Sequence, residues 1–312
     1  MPVRVNIRRL YPFFIFVTVV LYALAWRLTG DVLKEYGALS LIEGSCCLWG
    51  LCYMILRAAN KFSLGANYSA PLLLAALLLS FPGIVPMCRG YIGAVTATLA
   101  FLGAMKYFSG ELDNDIAFLS SMLMSVAVMI YPPLLWVAVV VFVTNLRPSE
   151  DRPRYIAMSF TGFLLPATLM AIWIAFHDGV RAVLPASSWL LQGMVAVNIH
   201  LGTISAARAA KILVLMVLFG AAVANYFTNS ARYSVSRSRS LLFTMIYALA
   251  TFAVLVLFSG GGMTLSCATL LPPVVLCIYD YLTCDTGGRI TAVSLLFITI
   301  ATILEYVMTL VG

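Results

Sequence analysis

Apolar residues of this chain fall into long runs separated by short polar stretches, and the run over 116–146 is the most informative. It is too long for one membrane span of about 20 residues and short for two. Pro132 and Pro133 interrupt it, and a proline disfavours helix in the residue before it. The pattern therefore predicts a helical hairpin, 116–130 and 134–146, that turns at the prolines.

Similar apolar runs recur along the chain and predict an all-α integral membrane protein, a single polytopic domain over residues 1–312. The residues are 62% hydrophobic and 10% charged, whereas soluble domains have about one quarter charged residues. We expect about ten transmembrane helices. The segment 182–207 is only moderately apolar, and we expect an outer-face amphipathic or re-entrant helix there, because this keeps the basic loop 230–240 inside.

The basic residues set the expected orientation. Arg4, Arg8 and Arg9 precede the first apolar run, so the N-terminus is expected on the cytoplasmic side of the membrane. No small-residue cleavage site follows that run, which predicts a retained helix. The net charge of +7 is typical of basic cytoplasmic loops, and no basic stripe interleaved with aromatics indicates nucleic-acid binding.

Several kinds of chemistry find no support in the motifs. The seven cysteines show no metal-ligand spacing, and neither a metal nor a cofactor is predicted. Motifs for ATP hydrolysis, serine hydrolysis and zinc proteolysis do not occur, nor do paired intramembrane histidines for haem. The acidic turn at Asp113-Asn114-Asp115 is interpreted as a helix start, with a hard-cation site as the alternative.

Two carboxylates fall inside predicted spans, where an unpaired charge costs several kcal/mol. Glu43 lies about two turns into the second span, and Glu305 lies deep in the last one. Each is interpreted as a proton carrier, a ligand for a cation or sugar hydroxyls, or part of a structural polar network. Asp280 and Asp285, near an inner helix end, are expected to be solvated.

A second constellation is predicted on the outer face. Arginines at a membrane surface can bind phosphate through two parallel hydrogen bonds. A histidine beside an aspartate can act as a general base. The alternative is that the basic residues only anchor to lipid headgroups. The residues expected there are Arg27, Lys34, Arg89, His177, Asp178, Arg181, His200 and Arg208. Lys211 is also expected on the outer side of the membrane, outside this constellation.

About half of the chain resembles a family of uncharacterised bacterial integral membrane proteins. The motifs are an Asn-Asp turn, a Tyr-Pro hairpin, a basic exit and a Gly-x-x-x-Pro helix, here Asn114-Asp115, Tyr131-Pro132, 147–154 and Gly162 with Pro166. The resemblance implies a ten-or-so-span inner-membrane protein of the Gram-negative envelope. It implies no particular activity.

Three functions remain open. The first is an envelope-assembly protein for a lipid-linked or anionic lipid or glycan substrate, similar to a polymerase, glycosyltransferase or flippase. For this function we expect Arg27, Arg89 and Arg181 to bind phosphate. Glu43 or the His177-Asp178 pair would act as the acid or base.

The second is a proton-coupled secondary transporter, in which Glu43 and Glu305 couple protons and proline-broken helices form the gate. The third is a non-catalytic subunit of a larger membrane complex. The expected partners are membrane lipids, a lipid-phosphate substrate and other proteins of such a complex.

Overall fold

The computed structural model describes residues 30–61, 73–75, 77–78, 88–109, 114–145, 152–195, 206–257, 259–283, 293–294 and 296–304. Its helices are α1 (Gly30–Lys61), α2 (Cys88–Ser109), α3 (Asn114–Ile130), α4 (Leu135–Asn145), α5 (Arg152–His177), α6 (Val183–Val195), α7 (Ala206–Asn229), α8 (Val235–Leu257) and α9 (Ser259–Thr283). Short 3-10 turns precede α4, α6 and α8 at Pro132–Leu134, Val180–Ala182 and Ser230–Arg232. Within the described ranges the chain is almost entirely helical and has no strand, as predicted.

Three helical segments of the described chain are long and apolar enough to cross a membrane: Pro153–His177, Ala209–Arg232 and Val235–Leu257. Shorter apolar helices accompany them at Ile92–Lys106, Asp115–Ile130, Pro132–Thr144 and Ala268–Tyr281. Large apolar side chains of α5, such as Phe160, Leu169 and Phe176, lie exposed. An exposed apolar surface of this kind suits contact with lipid better than contact with water.

Two predicted loops are helical instead. The expected outer loop over 27–37 is helix from Gly30 onward, since α1 starts there. The expected basic loop 230–240 is a single 3-10 turn followed by α8, which begins at Val235. In both places polar residues extend a helix beyond its apolar part, because backbone hydrogen bonding continues past the last residue that lipid would cover.

The chain divides into two compact units. Unit 1 consists of Met1–Cys88, His200–Ser238 and Leu271–Gly312. Unit 2 consists of Arg89–Ile199 and Arg239–Leu270.

In unit 2 the helix breaks at the prolines, as predicted. Tyr131 adopts an extended conformation (φ −136°, ψ 92°), and the Pro132–Leu134 turn leads into α4. The Tyr131 carbonyl accepts a hydrogen bond from the Leu134 amide at 3.0 Å, which closes the turn. The extended residue before a proline follows from the clash of the proline ring with a helical neighbour.

The chain also reverses direction at this turn. Phe118, near the start of α3, lies against Gly162 of α5, and Phe142, near the end of α4, lies 5.1 Å from Phe163 between ring centroids. An uninterrupted helix would separate residues 118 and 142 by about 36 Å at 1.5 Å per residue. Both contact one turn of α5, so α4 runs back along α3 and the predicted hairpin is confirmed.

Helix α6 follows α5 in unit 2 and contacts the proline turn. Gly179, with φ +84°, ends α5 in a conformation that other residues rarely adopt, and α6 begins four residues later. A Cβ atom added to Gly193 would lie 2.9 Å from Pro132 Cβ, so α6 reaches the proline turn. Its 13 described residues are about 20 Å long. The non-spanning helix predicted over 182–207 stays a prediction, since residues 196–205 lie outside the described chain.

Aromatic packing holds α2 against α8 within unit 2. Phe101 lies 5.8 Å from Phe243 and 4.8 Å from Tyr247 between ring centroids, and all three side chains are buried. The Tyr247 hydroxyl donates to the Ala97 carbonyl at 3.3 Å, which satisfies the one polar atom of the cluster.

Helix α9 differs from the proline turn, although it also contains two consecutive prolines. Pro272 and Pro273 do not break this segment, and α9 continues through them to Thr283. The residues from Ala268 to Tyr281 are all buried, so packing on every side holds the helical backbone where two hydrogen bonds are lost.

Gly162→Ala is expected to destabilise the protein, because the added Cβ would overlap the carbonyl oxygen of Phe118. Overpacking of this kind costs about 1–3 kcal/mol. The measurement is the thermal unfolding of the detergent-solubilised protein. Gly220→Ala is the control, since no atom lies within 4 Å of its added Cβ. Equal unfolding temperatures for both variants would contradict the close approach of α3 and α5.

Candidate functional site

A buried ion pair joins α8 to α9 in unit 1. Asp280 lies in the last turn of α9 with 3% of its surface exposed. Arg237, in the first turn of α8, donates to Asp280 Oδ1 from Nε at 3.2 Å and from Nη2 at 2.5 Å. A carboxylate near a helix C-terminus opposes the helix dipole, and burial makes an unpaired charge costly. The guanidinium offsets both effects.

Two tyrosines surround this ion pair. The Tyr233 hydroxyl donates to Asp280 Oδ2 at 3.0 Å, and the Tyr233 ring centroid lies 4.9 Å from Arg237 Cζ. Tyr226 stacks on Tyr233 at 6.0 Å between centroids, and its hydroxyl lies 2.7 Å from Ser238 Oγ. Both carboxylate oxygens are therefore held, and an aromatic face bounds the guanidinium.

The prediction that Asp280 is solvated is wrong. Its partner Arg237 lies 43 residues earlier in the chain, which no local pattern reveals. One signal was available, because Asp280 stands between Tyr279 and Tyr281 within an apolar run. An acid embedded among aromatics is more consistent with a buried partner than with a solvated helix end.

Helix α7 has two distinct faces. Its exposed face is apolar and includes Leu213, Val217 and Phe227. Its buried face repeats every three or four residues, as expected for one side of a helix. The buried residues are Lys211, Leu215, Leu218, Ala222, Asn225 and Tyr226.

Lys211 is fully buried, with 0% of its surface exposed. Its expected position on the outer side of the membrane stays a prediction, but its side chain is enclosed by protein. It lies in the second turn of α7, where the following residues are apolar. A lysine at such a position usually extends its ammonium group to the membrane surface, so burial inside the protein indicates a polar interior.

Asn225 lies two heptads after Lys211, on the same face of α7, and 8% of its surface is exposed. Asn229 Nδ2 donates to the Asn225 side-chain oxygen at 3.0 Å and to its backbone carbonyl at 3.1 Å. The Asn225 amide nitrogen is buried and has no hydrogen-bond partner. A buried donor without a partner costs about 1–3 kcal/mol and is rare.

Three of the residues predicted for the outer face lie close together in sequence at one end of unit 2. His177 ends α5, Asp178 follows it, and Arg181 lies in the 3-10 turn before α6; all three are exposed. His177 Nδ1 lies 3.2 Å from the Trp173 carbonyl, and its ring stacks on Trp173. The histidine is thus bound to its own helix and not oriented by Asp178 as a catalytic base requires.

The other predicted site residues are described in part or not at all. Glu43 lies on α1 and Arg89 on α2, and their side chains are outside the described part. Arg27, His200 and Glu305 lie outside the described residues altogether. Asn114 begins α3 and Asp115 lies in its first turn, which agrees with the predicted helix start.

In the part of the chain that the structure describes, no three His, Cys, Asp or Glu side chains form a group able to hold a metal ion. Comparison of the chain with protein-family models, curated proteins and solved structures yields no match. Function is therefore inferred from the geometry of the chain itself.

Arg237→Met is expected to destabilise the protein more than Asp280→Asn. The first change leaves a buried carboxylate without its cation, whereas the second leaves an arginine side chain that is already 25% exposed and able to reach solvent. Removing one partner of a buried ion pair costs about 3–5 kcal/mol, an upper limit here because of that exposure. Thermal unfolding in detergent measures the difference.

The control for this pair is Arg232→Met, because Arg232 is an exposed arginine in the preceding 3-10 turn. Its effect is expected within about 0.5 kcal/mol. A loss for Arg237→Met no larger than that of the control would show that the ion pair contributes nothing to stability.

Proposed function

We propose that this protein is a secondary transporter of a bacterial inner membrane that moves an oxyanion substrate, coupled to protons. The observation that carries the proposal is the fully buried lysine on an otherwise apolar helix, Lys211. A charge buried at membrane depth is costly and usually lies on a substrate or ion pathway.

The two faces of α7 support this proposal. Its apolar face suits lipid, and its buried face carries Lys211 and Asn225 at positions 14 residues apart. A helix that presents apolar groups outward and polar groups inward is expected to line a route for a polar solute. An ammonium group and a side-chain amide both donate hydrogen bonds, which suits an oxyanion substrate.

The geometry favours transport over catalysis on the outer face. An outer-face enzyme needs groups that converge in a pocket, whereas His177, Asp178 and Arg181 are exposed and stand in one local turn. Glu43, on α1, and Glu305 remain proposed proton carriers, and Arg27, Arg89 and His200 remain proposed contacts for the substrate at entry.

A second candidate is an envelope-assembly protein for a lipid-linked or anionic lipid substrate, as a flippase is. The observation that favours it is exposed Arg181, which shortly precedes α6 and its exposed residues Leu184 and Ser188. An exposed arginine beside such a helix is suited to a lipid phosphate. Both candidates share an oxyanion as substrate, with membrane lipids as partners. The proposed resemblance to a family of Gram-negative envelope proteins is consistent with both candidate functions.

Lys211→Met is expected to reduce transport at least tenfold, because the substitution keeps the length of the side chain and removes its charge. The measurement uses proteoliposomes with an internal pH indicator, to which inorganic phosphate, pyrophosphate or citrate is added. We expect at least one of these anions to change the internal pH with the unmodified protein.

The matched control is Lys61→Met, the same substitution at an exposed lysine at the end of α1 in the same unit. It is expected to transport at the unmodified rate. Equal rates for Lys211→Met and Lys61→Met, or no pH change with any anion for the folded protein, would exclude the proposed role of the buried lysine.

A further inference from the structure

We propose that the side-chain amide of Asn225 is a binding point for an oxygen of an oxyanion, near the end of α7 opposite Lys211. The inference rests on the proposed transport function and assigns a ligand contact and a ligand class to it. It starts from the buried amide nitrogen that has no hydrogen-bond partner.

The bonds around Asn225 identify which part of the side chain is open. Asn229 Nδ2 donates to the Asn225 side-chain oxygen, so the acceptor atom of the amide is occupied. The two N–H groups on Asn225 Nδ2 remain available, and they can only donate. The group that completes this site must therefore be an acceptor, such as an oxygen of a phosphate or carboxylate.

The surrounding charges favour an anion over a neutral acceptor. The next residue, Tyr226, packs on Tyr233, which in turn contacts the Arg237–Asp280 pair. Asp280 is neutralised by Arg237, and exposed Arg232 adds a positive charge in the same connection. The described side chains at this end of α7 thus carry an excess of positive charge, which attracts an oxyanion and repels a cation.

Arg237 has N–H donors that its ion pair with Asp280 does not use. Its Nε and Nη2 atoms bind Asp280 Oδ1, and among the described residues Nη1 makes no hydrogen bond. A guanidinium group has five N–H donors and suits oxyanions. The end of α7 therefore combines an unused amide donor, unused guanidinium donors and a carboxylate that is already paired.

Asn225 and Lys211 cannot hold one small anion at the same time. They are 14 residues apart on one helix, which corresponds to about 21 Å along its axis. Since both lie on the buried face, they represent two separate positions along a shared surface. An oxyanion released from one position can therefore bind next at the other.

The same phosphate chemistry occurs in a free ion and in a lipid headgroup, and the experiment separates these sources. The detergent-solubilised full chain is titrated with inorganic phosphate in one arm and with short-chain phosphatidic acid in the other. Stabilisation against thermal unfolding reports binding and requires no transport. Stabilisation by inorganic phosphate identifies a soluble ion as ligand, and stabilisation by phosphatidic acid alone identifies a lipid headgroup.

Two variants of Asn225 test the contact. Asn225→Leu removes the amide, and Asn225→Asp keeps its shape and its acceptor for Asn229 while replacing the N–H donors with an oxygen. Both are expected to bind phosphate at least tenfold more weakly than the unmodified protein. If the leucine variant fails to fold, the aspartate variant still tests the contact.

Ser230→Ala is the control, because Ser230 is exposed at the same end of α7 and its hydroxyl donates to the Phe227 carbonyl and not to Asn225. It is expected to keep the response to phosphate. An unchanged response in Asn225→Asp, or no stabilisation of the unmodified protein by either ligand, would show that Asn225 binds only water and would overturn the inference.

The outcomes separate this inference from the proposed function. Loss of phosphate binding in the Asn225 variants, without any flux in proteoliposomes, would leave the oxyanion site in place and remove transport. Flux that depends on Lys211, with binding unaffected by Asn225, would leave transport in place and remove the site.

Discussion

Charge burial in an apolar protein is the constraint on which unit 1 depends. Asp280 is surrounded by protein, so it requires a cation that is held close, and Arg237 supplies one. Tyr233 satisfies the second carboxylate oxygen, and Tyr226 stacks behind it. This set of contacts ties the connection between α7 and α8 to the last turns of α9. Within unit 1, the same carboxylate would be strongly unfavourable without these partners.

Helix α7 has two faces of different chemistry. Its outer side is apolar, as for a helix surrounded by lipid, and its inner side contains a buried lysine and a buried amide. In a soluble protein such polar groups would mark the surface. Here they mark the interior, which is why they carry the proposals on function.

Unit 2 is organised by close backbone approach. Gly162 lets α5 contact the backbone of α3, and Gly193 lets α6 contact Pro132. The break at Pro132 follows from local sterics and was predictable. Helix α9 continues through Pro272 although the same local rule applies there, because packing on all sides holds that helix together.

The sequence by itself determined the helical class, the positions of most helices and the reversal at Pro132, since these depend on apolar runs and on local backbone sterics. It predicted a solvated Asp280, which is wrong, and gave no sign that Lys211 is buried. Only the tertiary structure decided those two, because burial and pairing depend on which distant segments meet. Arg237 reaches Asp280 across 43 residues of chain, and the open donor of Asn225 exists only because its neighbours are already paired.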